Sequence, residues 1–303
     1  MSAMPAPSKR LLGLIGSGIQ RSLTPSLHEE EGRHHGLRLH YQLIDLDLTG
    51  EGPQALTGLL RAAKTMGFAG LNITYPCKQA VIPLLDDLSE EAAAMGAVNT
   101  VVIRDGQCVG HNTDGSGWAA GFTRALPYAD LGRVVLLGAG GAGAAIAHAA
   151  LRLGVEELVV CDREEAKRQA LVAELQRVYA HARVKSEIQV DSALQGATGL
   201  IHATPTGMDK LPGLPLDAEL LHPGLWVSEI VYFPLETALL KAARARGCAV
   251  SDGGGMAVGQ AVGAFEHFTG LQADPARMEL HFRRMVSSRI DAVSSTDLSE
   301  ASA

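Results

Sequence analysis

Residues 133–162, RVVLLGAGGAGAAIAHAALRLGVEELVVCD, decide how the rest of the chain is read. Val134 to Leu137 is an apolar run of the kind buried in a parallel strand. It breaks into Gly138-Ala139-Gly140-Gly141-Ala142-Gly143 and continues as an alanine-rich helix. In that order Gly138 makes a tight turn, Gly140 admits the backbone to a pyrophosphate, and Gly143 lets the helix lie against the strand with its free N–H groups facing phosphate. A second apolar strand, Leu158 to Cys161, ends in Asp162, 19 residues after Gly143. An acid there accepts hydrogen bonds from an adenine ribose and repels a 2′-phosphate. The competing reading is a glycine-rich turn that only packs. The succession strand, glycine run, helix, strand and acid favours a dinucleotide site.

At 303 residues the chain exceeds the usual size of one domain, so two are expected. With 47% hydrophobic and 19% charged residues it can bury a large core. It contains no uninterrupted apolar run near the roughly 18 residues of a membrane span. The formal net charge is −7 and there is no Lys/Arg stripe with interleaved aromatics, which argues against a nucleic-acid partner. Leu11 to Ile15 is too short for a signal peptide and reads as a strand. Cys77, Cys108, Cys161 and Cys248 lie far apart with no metal-ligand spacing, so no metal is expected and the cysteines read as reduced, in a cytoplasmic protein.

Outside the central stretch, strands alternate with helices and end in polar, Gly or Pro residues, which describes a two-domain α/β protein with ligands across the carboxyl ends of the strands. After a Pro/Ser start that reads as disordered, Thr24-Pro25 reads as an N-cap and first-turn proline opening a helix over 25–35. Ser22 and Thr24 beside that helix start either seat a small carboxylate or only cap the helix. The strand 70–74 puts Asn72 and Thr74 on one side, and Pro76 starts a helix with Lys78 in its first turn. A lysine fits poorly against the positive end of a helix dipole, which raises the odds of function, although most lysines are solvated surface groups. Residues 97–103 and 108–115 read as a strand pair joined by Asp105-Gly106. Asn99 and Asp114 stand at strand ends where they can face a cleft, and Asp114 reads equally as the N-cap of a helix over 117–126. Glu164, Glu165, Lys167 and Arg168 read as the solvated face of a helix over 163–179. Asp252-Gly253-Gly254-Gly255-Met256 reads as a hinge, crowded or flexible, ahead of a helix containing Gln260, which either reaches a polar ligand or is simply exposed. The Ser/Asp/Glu-rich residues 287–303 are expected to be disordered.

Together these motifs resemble the shikimate/quinate dehydrogenase family, from about residue 11 to 285. The resemblance rests on SLTPSLH at 22–28, GLNITYPCKQAVIPLLD at 70–86, GAVNTVV at 96–102 and HNTDGSGW at 111–118. It continues through GAGGAGAA, HATPTGM, VYFPLET and GGGMAVGQAV. It implies a substrate domain of residues 1–113 plus 256–286, a Rossmann-like NAD-binding domain of residues 114–255, and an active site in the cleft. Position by position, it implies a catalytic pair, Lys78 and Asp114. It implies substrate contacts at Ser22, Thr24, Asn72, Thr74, Lys78, Asn99, Thr113, Asp114, Tyr232 and Gln260. Cofactor contacts are implied at Gly138, Ala139, Gly140, Gly141, Ala142, Gly143, Asp162, Arg163, Thr204, Pro205, Met208, Val231, Gly255 and Met256.

Two departures bear on specificity. The biosynthetic branch usually carries Ser-x-Ser where this chain has Ser22-Leu23-Thr24, and an Asn-Arg-Thr-like phosphate clamp where this chain has Asp162-Arg163-Glu164. Carboxylates near a 2′-phosphate repel it by several kcal/mol at low effective dielectric, so NAD is favoured over NADP, with Arg163 the one group able to reach a phosphate. The expected activity is oxidation of quinate to 3-dehydroquinate and of shikimate to 3-dehydroshikimate by a monomer or homodimer, with no nucleic-acid or membrane partner. The alternatives are an NADP-dependent shikimate dehydrogenase of aromatic biosynthesis and a non-catalytic metabolite-sensing module.

Overall fold

The computed structural model describes the backbone of residues 9–300 and the side chains of residues 9–288. The Pro/Ser start lies outside them. Residues 9–300 form two compact units, one from residues 9–93, 98–111 and 261–300, the other from Ala94–Ala97 and Asn112–Gln260.

The first unit is built on six strands: β1 (Lys9–Gly16), β2 (Arg38–Asp45), β3 (Phe68–Ile73), β4 (Asp87–Leu88), β5 (Thr100–Arg104) and β6 (Gln107–His111), in the order β2-β1-β3-β5-β6-β4. β2, β1 and β3 are parallel, and β5 runs antiparallel to both β3 and β6. The β5–β6 connection is the expected two-residue turn, with Asp105 at φ 52° and Gly106 at φ 77°, the left-handed pair that matches strand twist. Both sheet faces are covered, as parallel strands require. Ile15, Leu56, Leu60, Leu71 and Ile73 pack on one side, and Leu12, Leu14, Tyr41 and Phe268 on the other.

The second unit carries β7 (Arg133–Leu137), β8 (Glu157–Cys161), β9 (Arg183–Glu187), β10 (Gly199–His202), β11 (Trp226–Glu229) and β12 (Val250–Ser251). All are parallel, in the order β12-β11-β10-β7-β8-β9. Counted from β7 this is the 3-2-1-4-5-6 sheet of the dinucleotide-binding fold, with its switch point between β7 and β10. The four cysteines are free and buried. Among the described residues no helix is long and apolar enough to cross a membrane, and no group of three or more His, Cys, Asp or Glu is placed to hold a metal.

Several local expectations are corrected. Thr24 is the first residue of the helix Thr24–His34, not its cap; the preceding Leu23 makes no side-chain cap, and the Ser22 hydroxyl accepts from the Thr24 N–H at 3.3 Å. Asp114 likewise opens the helix Asp114–Ala125 from inside, its own N–H held by the Asn112 side chain at 2.9 Å. The glycines at 253–255 are no loop but the first turn of the helix Gly253–Thr269, where a Cβ on Gly253 would lie 2.4 Å from the Val231 carbonyl. Arg168 is buried: its guanidinium donates to the Ser186 hydroxyl and the Asp162 carbonyl, each at 2.7 Å. The stretch 287–303, expected to be disordered, continues the helix Pro275–Glu300 as far as residue 300, and 301–303 lie outside the described residues.

Candidate active site

In the first unit, the residues singled out by sequence gather at the carboxyl ends of β1 and β3. Thr74 follows β3, donating its N–H to Ile15 at 2.9 Å, and its methyl fills the space a Cβ on Gly16 would need. Lys78 lies in a single helical turn, Cys77–Ala80, and its carbonyl accepts from the Val98 N–H at 2.9 Å. One turn has little dipole to oppose a cation, so the poor fit expected from sequence loses its force. Asn72 and Asn99 are buried and tied together. The Asn72 amide donates to the Asn99 carbonyl and the Thr100 hydroxyl, each at 3.1 Å, and accepts from the Tyr41 hydroxyl at 2.6 Å. The Asn99 side-chain carbonyl accepts from Thr100 at 2.9 Å. Both amide protons of Asn72 are thus spent within the protein. Ser22 and Thr24 stand after β1, at the start of the helix Thr24–His34.

In the second unit, Thr113, Asp114, Tyr232 and Gln260 come together. The Thr113 hydroxyl donates to the Gln260 carbonyl at 3.0 Å, and a Cβ on Gly117 would lie 2.3 Å from the Gln260 amide nitrogen. Only glycine lets the helix Asp114–Ala125 approach the helix Gly253–Thr269 this closely. The Gln260 side chain turns back to donate to the Ala257 carbonyl at 3.1 Å. The Tyr232 phenol is pushed above its ordinary range by desolvation and then by the negative charge of Asp114.

The glycine loop follows β7. Gly138 has φ 108°, and a Cβ on it would lie 2.6 Å from the Ala203 carbonyl and 3.1 Å from the Thr204 methyl. A Cβ on Gly143 would strike the Gly138 carbonyl, whereas Cβ positions on Gly140 and Gly141 meet no protein atom within 4 Å. The loop is therefore pinned at its ends and open along its middle, at the start of the helix Gly141–Arg152. These residues fit a pyrophosphate: an open cradle, backbone N–H groups and a helix N-terminus. Asp162, after β8, accepts from the Ala139 N–H at 2.7 Å and the Glu164 N–H at 2.8 Å. It thus ties the glycine loop to the end of β8. Arg163 is exposed. Thr204 follows β10 on the other side of the switch point, and Pro205 and Met208 lie exposed beyond it. Val231 is buried, its N–H given to Glu229 at 3.0 Å. Gly255 packs its backbone on Gly121, and Met256 packs against the core of this unit.

Sequence reasoning passed over His202 and Glu229. Each is an ionisable residue ending a fully buried strand, GLIH and WVSE, and that mismatch was the available signal.

Residues 14–101 match the family model for the shikimate dehydrogenase substrate binding domain. The chain is 58% identical to a shikimate dehydrogenase (NADP(+)) of Streptomyces avermitilis over 88% of its length and 93% of the relative's. It is 47% identical to a quinate/shikimate dehydrogenase (NAD(+)) of Corynebacterium efficiens over 90% and 97%. The structure of quinate dehydrogenase from Corynebacterium glutamicum in complex with NAD superposes with a TM-score of 0.86 at 45% identity, covering 91% of this chain and 99% of that one. A two-unit α/β fold with a nicotinamide-dinucleotide loop defines an oxidoreductase of the dehydrogenase class. The chain belongs to the shikimate dehydrogenase family.

Proposed function

We propose that this enzyme oxidises the ring alcohols of quinate and shikimate to the corresponding 3-dehydro acids, with NAD preferred to NADP. The first unit is read as the substrate-binding unit and the second as the dinucleotide-binding unit. Oxidising a secondary alcohol needs a base for the hydroxyl proton while the bound nicotinamide accepts the hydride. Lys78 takes the proton, with Asp114 as its partner. Asn99, Thr74, Gln260 and Tyr232 hold ring hydroxyls, and Ser22 and Thr24 hold the carboxylate.

The observation that carries the cofactor preference is Asp162. Its carboxylate is held at the end of β8 by two backbone N–H groups, where it accepts from a ribose hydroxyl and repels a phosphate. The names of the NADP-dependent relatives favour a second reading, an NADP-dependent shikimate dehydrogenase. Initial rates on quinate and shikimate with each dinucleotide separate the two. NAD turnover of both acids is expected, and activity confined to shikimate with NADP would establish the second reading. Any turnover at all disposes of a purely sensing module.

A further inference from the structure

Behind the glycine loop a buried polar chain runs from the core of the second unit to the end of β10, and the proposed chemistry does not use it. Glu229 and His202 are 1% and 0% exposed, side by side on paired strands. His202 Nδ1 lies 2.9 and 3.0 Å from the two Glu229 oxygens. The carboxylate also accepts from the Ile230 N–H at 2.9 Å, the Val231 N–H at 3.0 Å and the Thr237 hydroxyl at 3.0 Å. Such a set of donors belongs to an ionised carboxylate, which accepts only, so Nδ1 carries a proton. Nε2 is then fixed against the Thr204 hydroxyl at 2.5 Å. The Thr204 oxygen also accepts from the Thr206 N–H at 3.4 Å, so whichever partner donates across the His202 contact, one hydrogen-bonding direction of the hydroxyl is left.

The sheet order says what lies there. Asp162 ends β8 on one side of β7 and Thr204 follows β10 on the other, with the glycine loop between them. A dinucleotide whose adenosine ribose meets Asp162 and whose pyrophosphate meets the loop carries its nicotinamide half toward Thr204. The Thr204 methyl stands 3.1 Å from the position of a Cβ on Gly138, which places it on the loop itself. A buried ion pair adds little stability over apolar residues of similar volume, so stability alone does not account for this one.

We propose that Glu229 and His202 hold the Thr204 hydroxyl in one direction at the end of β10, where it meets the carboxamide of the nicotinamide ring, making His202 and Glu229 positioning residues. The proposal rests on the reading of the second unit as the dinucleotide-binding unit.

The test is a double-mutant cycle on Thr204→Val and His202→Asn, which keeps the bond to Glu229 and loses Nε2. Dinucleotide Kd is read by titration calorimetry on the full chain, together with KM and kcat. Each single change is expected to weaken binding about tenfold, the worth of one oriented hydrogen bond. The double variant is expected to bind no worse than Thr204→Val alone, and Thr204→Ser to bind as the parent does. In nitrogen-15 spectra of the unliganded protein, Thr204→Val is expected to shift the His202 Nε2 resonance. Losses that multiply in the double variant, an unmoved Nε2 resonance, or wild-type affinity in Thr204→Val each overturn the proposal. If His202→Asn does not fold, the Ser/Val contrast and the Nε2 resonance decide it with His202 in place. Failure of the underlying reading shows separately, as unsubstituted protein that binds neither NAD nor NADP.

Discussion

His28 sits in the motif used to recognise the family, and its structural role is one the motif does not reveal. Its imidazole is fully buried among Tyr41, Phe265 and Phe268, with ring centroids 5.0, 6.1 and 5.9 Å away, and neither ring nitrogen has a hydrogen-bond partner. Desolvation lowers its pKa to about 3, against a smaller opposing pull from Glu31. The unfolded chain therefore takes up a proton below about pH 6.5 that the folded chain refuses, so stability is fully present above that value and falls as the pH drops toward 3. Between about pH 7 and pH 5 this one group removes about 2 kcal/mol. Urea unfolding at the two pH values should show a loss in His28→Leu that is smaller than the parent's by about that amount. Equal losses would mean that the imidazole is charged, or reaches water, in the folded state. Arg168 teaches the converse. On a helix of low amphipathicity its position looked like surface, and only the pairing of β8 with β9 brings Ser186 within its reach.

At the scale of elements, the strand, glycine loop, helix, strand and acid of residues 133–162 were legible because each step has a local cause: apolar periodicity, positive φ at Gly138, and a helix N-terminus. The glycines of the second unit needed the tertiary structure. Gly117 and Gly259 sit on separate helices whose backbones touch, and a Cβ on Gly259 would lie 2.4 Å from the Gly117 carbonyl. Nothing local in HNTDGSGW or GGGMAVGQ announces that contact. Gly117→Ala should force the helices apart and cost about 3 kcal/mol, in the upper part of the usual range for overpacking. Because Asp114 opens the first of these helices, turnover should fall as well. Thermal unfolding and steady-state kinetics check both, and an unchanged Tm would show that the helices yield without cost. The same crowding explains why the tripled glycine at 253–255 is helix and not hinge: its lack of side chains serves packing, with Ile230 and Val231 carbonyls against Gly253.

For the whole molecule, the fold class and family were readable from sequence because motif order runs through nearly the entire chain. Strand ends were readable to within a few residues; the strand read over 70–74, for instance, runs from Phe68 to Ile73. The His202–Glu229 pair was not, since a residue buried on two adjacent parallel strands is recognised only once the strand order is known. In the proposed chemistry Lys78 takes the alcohol proton. The measurement that tests it most directly is the rate of NADH formation by Lys78→Ala on quinate and shikimate beside the parent, with dinucleotide affinity titrated on both. A fall in kcat of about a hundredfold or more, at unchanged dinucleotide affinity, is the predicted result. A Lys78→Ala enzyme turning over at the parent's rate would contradict it.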